Sequence, residues 1–174
     1  MRTIAVIVAV IIVGLVGFAV TRPRNFRVQR SARINAPPAR IFPLINDFHQ
    51  WAAWSPFERL DPAITRTFSG APIGHGAIYE WAGNRKVGAG RMEIIESTAP
   101  NRVATRLDFI RPMEARNVAE FTLRQHGEAT DVTWAIFGPS PFAARMMGMF
   151  FNMNKLLGRD FERGLANLKA LVEG

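Results

Sequence analysis

Apolar positions alternate with a period of two between residues 26 and 137, and recur every third or fourth residue from 146 onward. The first rhythm is that of half-buried strands and the second that of an amphipathic helix. Phe26, Val28, Ala32 and Ile34 share one face of the opening segment, with Arg30 interrupting it, which predicts a strand close to a solvated edge. Asn35-Ala36-Pro37-Pro38 ends that strand, and a short helix over 39–45 carries Ile41, Leu44 and Ile45. Phe48, Trp51 and Trp54 fall on one stripe of a further helical turn, stopped by Ser55-Pro56. Six more strands are predicted over 64–69, 77–81, 87–96, 102–109, 115–125 and 130–137. In the cleanest of them Val103, Thr105, Leu107 and Phe109 oppose Arg102, Ala104, Arg106 and Asp108, while Ala119, Phe121 and Leu123 form a second inner face. Ser140 is placed to cap a helix opening at Pro141. Met146, Met149, Phe150, Met153, Leu157, Phe161, Leu165, Leu168 and Val172 then mark about 30 residues of amphipathic helix. The order predicts one α+β domain, an antiparallel sheet curved around its terminal helix.

Residues 3–21 have no period because none is charged and nearly all are apolar. As a helix they span roughly 28 Å, near the thickness of a bilayer's hydrocarbon core. The expectation is a membrane anchor over 1–22 and a folded domain over 23–174. A cleaved signal peptide is the rival, but the apolar stretch is long and no small-x-small site follows it.

The net charge of +8 is unevenly placed. Arg2, Arg22, Arg24, Arg27 and Arg30, with no carboxylate before residue 31, give +5; the remaining 17 basic and 14 acidic groups give +3. Basic residues beside an apolar helix suit anionic lipid head groups. Their excess after residue 21 over Arg2 favours a single-pass protein with its domain in the cytoplasm. No basic stripe of the kind nucleic-acid binding needs appears in the body of the chain.

Candidate chemistry is sparse. The absence of cysteine removes disulfides and thiolate chemistry. His49, His75 and His126 sit in separate segments without ligand spacing, so neither a metal nor a cofactor is expected. Asp47 and His49 form an acid–histidine pair in sequence, yet no nucleophile accompanies them, and Ser55 before Pro56 reads as a structural hydroxyl. Gly83, Gly88 and Gly90 do not make a phosphate-binding fingerprint and fit a strand connection with a bulge. Thirteen Phe and four Trp are better placed to act. Trp51, Trp54, Trp81 and Trp134 are candidates to line a ligand cavity, with packing in the core as the alternative. Met146, Met149, Phe150 and Met153 are candidates for its adaptable wall, with plain core packing as an equal alternative. Glu80, Arg106, Asn117 and Glu120 stand on strands, where a solvated face is the default and cavity polarity the alternative; Glu120 is the candidate taken for the cavity.

Taken together, several segments resemble the START-like superfamily, also called the Bet v 1-like or polyketide cyclase/dehydrase group, and in particular its small bacterial SRPBCC branch. These are Arg33-Ile34-Asn35-Ala36-Pro37-Pro38, the run 46–56 from Asn46-Asp47-Phe48 to Trp54-Ser55-Pro56, and Tyr79-Glu80-Trp81. The run 86–92, Phe121-Thr122-Leu123 with Val132-Thr133-Trp134, and 161–168 complete the pattern. The resemblance spans roughly 26–172. It implies a helix-grip fold, a seven-stranded antiparallel sheet wrapped around a long C-terminal helix. It also implies an apolar cavity suited to a lipid or other hydrophobic small molecule. Three functions follow as expectations: binding of such a molecule at a membrane without catalysis, a polyketide cyclase/dehydratase-like reaction, or a co-chaperone-like protein-interaction module.

Overall fold

The period-two segments become seven strands: β1 (Asn25–Ile34), β2 (Thr65–Gly70), β3 (Ala77–Ala82), β4 (Ala89–Thr98), β5 (Arg102–Arg111), β6 (Ala115–His126) and β7 (Ala129–Pro139). The computed structural model describes residue 17, residues 23–140 and residues 153–174. Within them all strands pair antiparallel in one sheet of order β1-β7-β6-β5-β4-β3-β2. Helices α1 (Pro38–Asn46) and α2 (Trp51–Trp54) separate β1 from β2, with 3-10 turns at Phe48–Gln50 and Pro56–Arg59. Helix α3 (Met153–Glu173) closes the concave face, packing most extensively on β1 and also against α2 and β7.

Apart from Gly17, the expected anchor over 3–21 lies outside the described residues, as do Pro141 at the expected helix start, Met146, Met149, Phe150 and the side chain of Met153. Among the described residues no helix is long and apolar enough to cross a membrane.

Alternation decides which face each strand buries. Val103, Thr105 and Leu107 of β5 and Ala119, Phe121 and Leu123 of β6 turn inward and are buried. The reading of Arg30 needs amending. β1 is an edge strand, but Arg30 is on its inner side and reaches α3, where it donates to Glu162 (2.6 Å) and to the side chain and carbonyl of Asn154 (3.0 and 3.1 Å).

The sheet has two unlike ends. At one, Ile34, Ile41, Ile45 and Leu168 are completely buried. There Arg40 donates to the carbonyl of Val172, the Asn35 amide donates to Glu173, and Thr130 Oγ1 donates to the carbonyl of Ala36. The other end gathers the start of β1, the end of β7 that pairs with it, the β3–β4 and β5–β6 turns, and the start of α3.

Candidate ligand cavity

At that second end the described residues do not close the core. A cavity of about 310 Å³ lies between the sheet, the 56–64 segment and the first turns of α3. Its wall is almost wholly apolar: Trp51, Phe57, Tyr79, Trp81, Met92, Leu107, Phe109, Ala119, Trp134, Ile136, Leu157 and Phe161. Leu60, Lys86 and Leu156 stand at its mouth, and Ser55, Glu58 and Asp160 supply the remaining polar groups. This size falls at the lower end of small-molecule sites, about 300–1,000 Å³.

Each aromatic is held by a local device. Trp51 and Trp54 follow α1 so closely that their indole N–H groups donate to the carbonyls of Ile45 (2.9 Å) and Leu44 (3.0 Å). They thus satisfy carbonyls that a helix C-terminus leaves without partners. Asn167 of α3 donates to the carbonyl of Trp54, so this same turn is tied to the terminal helix. Trp134 stacks on Phe161 with centroids 4.3 Å apart, and on Phe121 at 4.9 Å. Trp81 lies across Gly90, where a Cβ would meet the indole at 2.4 Å; its N–H donates to the carbonyl of Val87.

One polar cluster interrupts the aromatic wall. Glu58 projects from the turn at Pro56–Arg59 with its carboxylate almost fully buried. Tyr79 Oη donates to one of its oxygens at 2.6 Å and Arg66 Nε to the other at 2.6 Å. Burial, and then the hydrogen bond to Glu58, push the Tyr79 phenol far above its usual range. The bond to Glu58 likewise raises Arg66. A carboxylate held between a phenol and a guanidinium avoids the cost of an unpaired buried charge. It also fixes a polar landmark in an otherwise apolar wall.

The structure brings Trp51, Trp81 and Trp134 together around the cavity. Trp54 is completely buried behind them, touching Phe121 and Trp134 but not lining the space. The assignment of Glu120 to the cavity is corrected. Its neighbours Ala119 and Phe121 face inward, so Glu120 faces outward and pairs with Arg102 (2.7 Å) and Arg27 (3.4 Å). Arg106 is also outward, paired with Glu93 and Asp108, and Glu80 is exposed; Asn117 points inward but does not line the cavity. Asp47 and His49 do meet, 2.8 Å apart, but they cap a surface turn away from the cavity, with His49 stacked on Phe68. Burial pushes Asp47 upward, and the hydrogen bonds from the amide and ring of His49 and from Gln50 outweigh it, leaving the carboxyl below its usual range. Among the described residues no cluster of potential metal ligands forms. Glu58 and Tyr79 were not singled out from the sequence. The alternation Ala77, Tyr79, Trp81 in β3 already put the phenol on the inner face; nothing local marked Glu58 as its partner.

Solved structures share this architecture at low sequence identity. A protein from Chromobacterium violaceum aligns over 88% of this chain and 99% of its own, at 17% identity and a TM-score of 0.59. One from Thermobifida fusca aligns over 82% and 90%, at 21% and 0.61. The di-domain ARO/CYC protein BexL from the BE-7585A biosynthetic pathway matches over 91% of this chain and 53% of its own, at 12% and 0.64, so this chain spans about half of it. No curated protein matches the sequence. Residues 25–173, the sheet and the helix that grips it, match the model of the family described as polyketide cyclase/dehydrase and lipid transport, within the START-like superfamily, and the chain belongs to that family.

Proposed function

We propose that this protein binds a hydrophobic, lipid-like small molecule and holds it at a membrane, to which residues 3–21 fasten a domain on the cytoplasmic side. The observation that carries the reading is the aromatic cavity beneath α3, with a volume of about 310 Å³ and one buried polar cluster in its wall. Such a space favours an apolar ligand body through burial, at about 25 cal/mol per Å² of apolar surface removed from water. Glu58 and Tyr79 orient a polar end. The uncharged run 3–21 and the arginines that follow it support the anchor and its sidedness.

Native mass spectrometry of the full-length protein, taken gently from its own membrane, tests this. The expected result is a reproducible added mass that is lost when Ala119 is replaced by Leu. A protein that stays empty when offered a library of hydrophobic compounds refutes the reading and favours a protein-interaction module. A second reading, a cyclase-like reaction, is favoured by the phenol–carboxylate pair on the cavity wall and by the fold shared with an ARO/CYC protein. It predicts that the bound compound is converted on incubation, and that Glu58→Gln stops conversion while the ligand remains bound.

A further inference from the structure

The described domain has a distinctive electrostatic end, and it is the end at which the cavity opens. Six cationic side chains gather there: Arg24 before β1, Arg59 beside the cavity mouth, Arg85 and Lys86 in the β3–β4 turn, Arg111 at the end of β5, and Arg116 in β6. Among the described residues none of the six takes part in an ion pair. By contrast Arg27, Arg30, Arg33, Arg66, Arg91, Arg102 and Arg106, along the strands, are all paired. Among the described residues of the opposite end, Arg124 and Arg40 stand outside ion pairs, and Arg40 is taken by the carbonyl of Val172. The carboxylates near this end are few. Asp108 stands opposite Arg116 in the β5–β6 register but is paired with Arg106, and Glu80 is exposed further along the same row, on β3. Asp61 is buried and accepts from the amides of Ala63 and Asn84, and Glu58 is taken by Arg66 and Tyr79. Asp160 lines the cavity and Glu114 is exposed.

The connecting turns are contiguous. Asp61 bonds to Asn84, which joins the 59–63 turn to the β3–β4 turn. A Cβ on Gly88 would strike the carbonyl of Arg111, which joins that turn to β5. Large apolar side chains protrude on this same end: Leu60 (47% exposed), Leu156 (60%), Ile110 (55%) and Met113 (59%). Interspersed unpaired cations and protruding apolar side chains form a surface that suits an anionic bilayer, with phosphates for the former and the acyl boundary for the latter.

Chain direction supplies an independent argument. β1 starts at this end, and the Ser140 amide donates to the carbonyl of Arg24 (2.6 Å), so the chain enters the domain here. The apolar run 3–21 ends only three residues before Arg24 in the sequence. So short a connection cannot carry the opposite end of the sheet to the membrane.

We infer that the cavity mouth docks on an anionic bilayer surface through the 59–60, 85–86 and 110–116 segments, so that a lipid-like ligand passes between membrane and cavity without crossing water. This rests on the proposed anchoring by residues 3–21 and gives that anchor an orientation.

The absence of native cysteine makes the test direct. The full-length chain, with a fluorophore on Met113→Cys or on Glu128→Cys at the opposite end, is reconstituted in phosphatidylcholine vesicles with or without phosphatidylglycerol. Brominated acyl chains serve as the quencher. Flotation reads anchoring, and quenching reads which end faces the bilayer. The expected result is strong quenching at position 113 and none at 128, greater with phosphatidylglycerol. The triple change Arg85→Glu, Lys86→Glu, Arg111→Glu should reduce it at least about threefold without changing flotation. Flotation with no quenching at 113, or equal quenching at both positions, overturns the docking inference and leaves the anchor standing. Failure to float overturns both.

Discussion

The two ends of the grip are built from the same strands and the same helix, yet among the described residues one is filled and the other hollow. At the filled end branched aliphatics interlock: Ile34, Ile41, Ile45, Val132 and Leu168 are all completely buried. At the hollow end the wall consists of flat rings, Trp51, Tyr79, Trp81, Phe109 and Trp134, which stack or meet edge-on and leave a space between opposing layers. Stacking spends the faces of the rings on one another, whereas interlocking aliphatics fill the volume they border. Stability is therefore concentrated at the end away from the chain's entry, and capacity at the end beside it.

The largest expected effect separates these ends. Leu168→Ala should lower stability by about 2–5 kcal/mol in denaturant titration, as large-to-small changes in closed cores do. Leu156→Ala, at the cavity mouth, should fall within about 0.5 kcal/mol of the parent. Next in size is Gly164→Ala on α3. Its Cβ would sit 2.7 Å from the Trp134 ring and 3.0 Å from Pro56. Neither neighbour can swing aside, so an overpacking cost of about 1–3 kcal/mol, offset in part by the gain of about 1 kcal/mol in helix propensity, is expected to leave a net loss. Ala119→Leu extends into the existing space, so its cost should stay below about 1.5 kcal/mol while ligand is excluded. A loss as large as that of Leu168→Ala would show that the hollow end is closed in solution.

Tyr79 offers a subtler test, because it is the only tyrosine in the chain. Its near-ultraviolet tyrosinate absorbance should be absent from the folded protein at pH values where free tyrosine ionises, about 10. The folded form holds this proton more tightly than the unfolded form. Its contribution to stability is thus fully present below about pH 10 and is lost as pH rises towards the folded value. Glu58→Gln should bring the titration closer to the free value. Gly158→Ala is the smallest effect. Its Cβ would meet the Arg30 guanidinium at 2.0 Å, but that group ends a flexible side chain and can withdraw. Loss of the Arg30 contacts with Glu162 and Asn154 is offset by a gain of about 1 kcal/mol in helix propensity. A net change within about 0.5 kcal/mol is expected, measured beside Gly164→Ala.

The legibility of the sequence follows the same division. Strand and turn signals located every strand to within about two residues; for the strands other than β2, which is exposed along its length, burial of one face is a local property that the alternation records. The alternation also contained the answer for Glu120: if Ala119 and Phe121 face inward, the residue between them does not. Glu120 takes the solvated face, the default for a charged strand residue, where Arg102 and Arg27 pair with it. Arg30 and Glu58 were beyond this kind of reading. Arg30 finds Asn154 and Glu162 more than a hundred positions away, and Glu58 finds Tyr79 across the fold. Such pairings are fixed by how α3 and the 3-10 turn settle on the sheet. The tryptophans were recognised as a group. Dividing them into Trp54 in the packed core and Trp51, Trp81 and Trp134 on the cavity wall required the three-dimensional arrangement.

The pairing of β1 with β7 also sets an order of events during synthesis. Asn25 is made long before its partner Pro139. At about 5–20 residues per second, the first strand waits on the order of ten seconds for the strand that covers it. An unpaired strand is open to pairing with another chain throughout that interval. Arg27, Arg30 and Arg33 lie within it at three-residue spacing, so that both of its faces carry charge. In the finished domain these arginines are occupied by Glu120, Glu162 and Asp131, all encoded downstream. The side chains that keep the nascent strand solitary are the ones that later fasten it in place.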